Sequence, residues 1–102
     1  MEYDSKLRCP ELDGLFEAIL QLKNSEECYR FFEDICTISE IKAIAQRLEV
    51  AKMLDAAITY HDISQATGAS TATISRVNRC LQYGAGGYRL MLERIKELDE
   101  TK

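Results

Sequence analysis

The chain has 102 residues, 46% of them apolar and 29% charged, with a formal net charge of −4. That length excludes more than one domain, the composition excludes a disordered chain, and no apolar run approaches the roughly 18 residues of a membrane span. The segment Met1-Glu2-Tyr3-Asp4-Ser5 has neither the basic start nor the apolar stretch of a signal peptide, so a cytoplasmic protein is expected.

Pro10 opens the first helix, and Leu12, Leu15, Phe16, Ile19 and Leu22 follow on one apolar stripe. Ser25 is the expected N-cap of a second helix, with Glu26 and Glu27 favourable in its first turn and Cys28, Phe31, Phe32 and Ile35 as its apolar face. Thr37 and Glu40 form a capping box that starts the longest helix, which runs to about Ala56. Ile41, Ile44, Ala45, Leu48, Ala51 and Leu54 share one face of it, as expected of a central spine. Thr59 or Asp62 begins a short helix that ends before Gly68, and Ser70 caps the next, which reaches Leu81 or Gln82. The stretch from Tyr83 to Tyr88 holds three glycines in four residues, too costly in backbone entropy for a helix interior, and is a connector. A last helix runs from about Tyr88 to Leu98 on Leu90, Met91, Ile95 and Leu98. The fold class is all-α, with six helices and no strand.

The segment from Tyr60 to Val77 has the pattern of a helix-turn-helix. Such a motif needs a residue at ease with positive φ in its turn, and Gly68 supplies it. It also needs apolar residues where the helices touch, here Ile63 and Ala66 before the turn and Ile74, Val77 and Leu81 after it. The second helix then presents Ser70, Thr71, Thr73 and Ser75 at its N-terminal end, short hydroxyls able to meet base edges or phosphates, with Ala72 able to touch a thymine methyl. Arg76 and Arg79 follow on the same helix, and Ser64 stands where many such motifs carry alanine. These residues are the candidate contacts to double-stranded DNA. An ordinary helical hairpin with a glycine turn would share the glycine and the apolar spacing, but not the clustered hydroxyls.

Charge distribution agrees with DNA as a partner. Residues 1–62 carry 7 Lys/Arg and 13 Asp/Glu, whereas Arg76, Arg79, Arg89, Arg94 and Lys96 face Glu93 alone over 63–96. The acidic tail after residue 96 is short, and the local field governs phosphate contact more than the total does.

Thr37-Ile38-Ser39-Glu40, the run Ala43 to Arg47 and the run Gly68-Ala69-Ser70-Thr71-Ala72-Thr73-Ile74-Ser75-Arg76 resemble the Trp repressor superfamily. The connector from Tyr83 to Tyr88 looks like its YerC/YecD-type branch in particular. The resemblance implies a six-helix, Trp-repressor-like intertwined homodimer with a helix-turn-helix, in which the helix after Ser70 enters the major groove. On that plan residues 1–102 form one domain, with dimerisation helices over 10–57, the helix-turn-helix over 60–82 and the C-terminal helix over 88–98. The resemblance also implies an effector pocket: Arg47 and Arg76 match the arginines that flank the corepressor's indole ring, and Thr37 and Thr73 match further pocket positions. Val77 stands where the repressor has glycine, so a branched side chain takes up part of that pocket and weighs against tryptophan as corepressor. Arg47 and Arg76 would instead pair with carboxylates such as Glu40 or Asp62, or reach phosphates.

The other residues carry little chemistry. Cys9, Cys28, Cys36 and Cys80 lack Cys-x-x-Cys spacing and are joined by one histidine, His61, so neither a metal site nor any other cofactor is expected. Cys28, Cys36 and Cys80 are expected to be buried as small apolar residues, His61 to be solvated, and Glu26, Glu27, Glu33 and Asp34 to form a solvated helix face. No catalytic constellation stands out, so no enzyme is expected. Two functions remain open: a transcriptional regulator, repressing by occupancy of a promoter, and a dimeric protein-interaction module that keeps the helix-turn-helix shape without reading DNA.

Overall fold

The computed structural model describes residues 3–100. Met1 and Glu2, at the start of the N-terminal segment considered above, and Thr101 and Lys102 of the acidic tail lie outside the described residues. Six helices and no strand occur among the described residues: α1 (Pro10–Ile19), α2 (Ser25–Ile35), α3 (Ile38–Asp55), α4 (Tyr60–Thr67), α5 (Thr71–Tyr83) and α6 (Gly87–Glu100). The chain divides into two compact units, Met1–Thr37 and Ile38–Lys102.

In the first unit, Pro10 lies in the opening turn of α1, where its missing N–H leaves no bond unmade. Asn24, not Ser25, caps α2, one residue earlier than expected. Its side chain accepts from the Glu27 N–H at 2.9 Å, and the Glu27 carboxylate accepts from the Lys23 N–H at 2.9 Å. Asparagine and serine are equally good caps, and the bond from the Glu27 N–H selects the asparagine. Neither α1 nor α2 has a buried residue.

The second unit is built on α3, which packs against α4, α5 and α6. Its core is Val50 and Ala51 of α3, Ile63 of α4, Ala69 of the turn, Ile74, Val77 and Leu81 of α5, and Leu92 of α6. Each large member contributes about 1.5–3 kcal/mol by leaving water. The expected α3 stripe is only partly the buried face: Ala51 is buried, Leu48 and Leu54 lie at the core's edge, and Ile44 and Ala45 are exposed. The helix carries apolar residues around much of its circumference, so periodicity alone does not select Val50 as the fully buried residue.

Helix α3 ends without glycine. The Ile58 N–H reaches back to the Met53 carbonyl and the Ala57 N–H to the Leu54 carbonyl, both at 3.0 Å, with Ala57 at φ 61°. This is a Schellman-type cap with alanine in the left-handed position. Beside it, Asp55 pairs with Arg89 at 3.3 Å and Lys96 at 2.8 Å, tying the end of α3 to α6. The cysteine expectation needs correction: Cys28 and Cys80 are exposed and Cys36 is half-buried, because none of the three falls on a face that packs into the core. Among the described residues, no helix is long and apolar enough to cross a membrane.

Candidate nucleic-acid interface

The helix-turn-helix is α4, a three-residue turn and α5. Thr59 caps α4, its hydroxyl accepting from the Asp62 N–H at 3.2 Å. Gly68 ends α4 at φ 75°, the left-handed region that a Cβ makes costly, and its N–H returns to the Ser64 carbonyl at 2.8 Å. Ala69 is then buried, and Ser70 caps α5 by accepting from the Thr73 N–H at 3.1 Å. The turn is thus held by local chemistry that the sequence spells out, and the core side of α5 (Ile74, Val77, Leu81) anchors it from below.

The predicted contact residues separate into two groups. Thr71, Ala72, Arg76 and Arg79 are exposed along α5, and Thr73 and Ser75 are half-buried beside them. Gly68 and Ser70 belong to the turn, and Ser64 lies on α4 with its side chain bonded to it. The Ser64 hydroxyl donates to the Ala69 carbonyl at 2.9 Å, and the Ser70 hydroxyl donates to the Thr73 hydroxyl at 3.1 Å. Their protons are therefore engaged within the motif.

Electrostatics favour an anion at this end of α5. No acidic residue lies in its first turn, so the positive end of the helix dipole is left without a carboxylate. The positive charge counted over 63–96 is less concentrated than it looks in sequence, however. Arg89 and Lys96 are both spent on Asp55, which lies outside that segment. Arg76 and Arg79 are the cations that α5 itself carries.

The residues of the expected effector pocket are distributed less simply. Thr37 closes the first unit, and the other four lie in the second. Val77 is 1% exposed within the core, whereas its neighbour Arg76 is exposed. Arg47 lines an open groove of about 560 Å³ together with Ile44, Leu48, Cys80, Tyr88 and Met91, and neither Arg76 nor Val77 reaches its wall. The groove gives little sign of itself in the sequence, because its walls are α3 on one side and the end of α5, the connector and the start of α6 on the other, some forty residues apart. Its one signal was the glycine connector. A Cβ at Gly84 would collide with the Cys80 carbonyl oxygen, so glycine is what allows α5 to close there.

This arrangement has relatives. The Trp repressor protein family model matches residues 10–96. The uncharacterized protein YerC of Bacillus subtilis is 63% identical over 94 residues, covering 92% of this chain and 90% of YerC. A crystal structure of a candidate Trp repressor from Staphylococcus aureus shares its fold at a TM-score of 0.86 and 56% identity, covering 89% of this chain and 91% of that one. A TrpR-like protein from Eubacterium eligens gives a TM-score of 0.86 at 57% identity, covering 89% and 94% of the two chains. Matched by the family model over residues 10–96 and by these relatives over about nine-tenths of its length, the chain belongs to the Trp repressor family.

Proposed function

We propose that the protein is a sequence-specific DNA-binding regulator of transcription that acts as a homodimer and represses by occupying promoters. The observation that carries this is the exposed edge of α5: Thr71, Ala72, Arg76 and Arg79 stand on a helix anchored by Ile74, Val77 and Leu81, whose first turn holds no carboxylate. Family membership supports the same reading. Two such helices related by a two-fold axis would meet half-sites about one DNA turn apart, with Arg76 and Arg79 on phosphates and the N-terminal residues of α5 on base edges.

Selection of bound fragments from a fragmented genome tests this. A short set of near-palindromic fragments should be recovered with nanomolar-range affinity that falls steeply with salt. Arg79→Ala should weaken binding to every fragment alike and reduce the salt slope by about 1. Thr71→Ala should instead alter which fragments are preferred. Recovery of no preferred fragment at any salt would favour a protein-interaction module.

A further inference from the structure

Thr67 is the last residue of α4, so no N–H within that helix reaches its carbonyl. The side-chain amide of Gln46, 21 residues earlier on α3, donates to this oxygen at 3.1 Å. The same residue is engaged twice more: the Thr67 hydroxyl donates to the Ile63 carbonyl at 2.7 Å and accepts from the Ala69 N–H at 3.1 Å. Ser64 completes the set by donating to the Ala69 carbonyl at 2.9 Å. Three polar side chains thus bind the peptide groups on both sides of Gly68. Two of them lie within the motif, and Gln46 belongs to the spine.

We infer that Gln46 is a positioning residue: it locks the turn of the helix-turn-helix to α3 and so fixes the pose in which α5 is presented. The inference rests on the DNA-binding reading for its consequence, but not for the lock itself. Gly68 is the freest backbone position of the motif, and the bonds of Ser64 and Thr67 define only the local shape of the turn. They leave open the angle between turn and spine. The apolar contacts of Ile63, Ala69 and Ile74 hold the helices against the core, yet such contacts are non-directional. A hydrogen bond to a half-buried carbonyl is directional, and losing it leaves that oxygen unpaired. Base readout depends on pose to within a fraction of an ångström, whereas attraction of Arg76 and Arg79 to phosphate does not. Loss of the lock should therefore lower discrimination among sequences more than it lowers overall attraction to DNA.

The test uses the full chain with Gln46→Leu, which keeps the apolar stem and removes the donor, and Gln46→Lys, which restores a donor on a side chain long enough to reach. Hydrogen exchange of the Gly68, Ala69 and Ser70 amides reads the lock directly, without DNA. Affinity for a selected fragment relative to a scrambled one, at fixed salt, reads its consequence. Gln46→Leu should speed exchange at the turn while the amides of α6 keep their protection, and should lower the affinity ratio about tenfold. Gln46→Lys should recover most of both. Unchanged exchange in Gln46→Leu would overturn the lock, and faster exchange with an unchanged ratio would overturn the positioning role. Failure of the native chain itself to prefer any fragment would sink the DNA-binding reading instead, and the lock would then be judged on exchange alone.

Discussion

Val77 and Ala57 show how much one side chain decides. At Val77 the resemblance to the Trp repressor superfamily implies a glycine in the tryptophan-responsive members, with room for an indole ring. Here the valine is 1% exposed and belongs to the same buried cluster as Ile63 and Ile74. Its volume is committed to packing, and withdrawing it would open a cavity in a core of few residues. Isothermal titration with millimolar tryptophan should accordingly give no saturable heat, and clear saturation would show that the ring finds another way in. Ala57 poses the reverse case, a side chain where none is wanted. Its φ of 61° costs an L-residue about 1–2 kcal/mol, part of which glycine would return as unfolded-state entropy. Ala57→Gly should therefore raise stability by roughly 0.5–1 kcal/mol in a urea titration. A loss of stability would mean that the Cβ makes contacts worth more than the strain.

Local chemistry governs where the helices begin, and tertiary chemistry governs how they are tied together. Caps are written in short words that a sequence displays, so Gly68 and Ser70 mark their helix ends as expected, and of the two candidates Thr59 and Asp62 the structure takes Thr59. Asn24-Ser25 offered two equal words, and the Glu27 bond chose between them. The end of α3 could not be seen in detail because its left-handed position holds alanine, which carries no turn signal. The candidate interface was legible in the same uneven way: the exposed edge of α5 follows from helical spacing, whereas Gln46 gives no hint of its bond to Thr67. The clamp of Asp55 on Arg89 and Lys96 was equally hidden, since its partners are 34 and 41 residues away. The hydrogen bond from Lys96 is the main influence holding the Asp55 carboxyl below its ordinary value of 3.8, helped by attraction from Lys96 and Arg89 and opposed by partial burial. A carboxyl lowered in the folded state stabilises it above the unfolded value and ceases to do so as pH falls through the folded one. With its partners half or more exposed, solvent screening limits the clamp to about 1 kcal/mol. Asp55→Asn should thus melt at lower temperature than the native chain at pH 7. The two should converge as the medium is acidified well below the ordinary carboxyl value of 3.8. A gap that persists in acid would assign the loss to packing rather than to charge.

At the scale of the whole molecule, the described residues leave much apolar surface in water. Eight of the described residues form the buried core. Meanwhile Phe16, Leu20, Tyr29 and Ile35 of the first unit and Ile38, Ile44, Met91 and Leu98 of the second are all large, apolar and exposed. Surfaces of this kind mark interfaces, and a chain this short would gain buried area from a partner. A second copy is the partner the proposed function requires, because a palindromic site needs two reading helices on one rigid frame. Sedimentation should therefore give twice the 11.6 kDa chain mass, with a melting temperature that rises with protein concentration. Phe16→Gln together with Leu20→Gln removes apolar area from α1 and its C-cap without touching α5. That variant should shift toward monomer and lose affinity for long and short DNA alike, since each half-site contact then has to be made on its own. A native chain that stays monomeric at tens of micromolar, or a double variant that remains dimeric with unaltered affinity, would leave the exposed faces of α1 and α2 to some other use. Two-fold recognition of DNA would then have no frame to stand on.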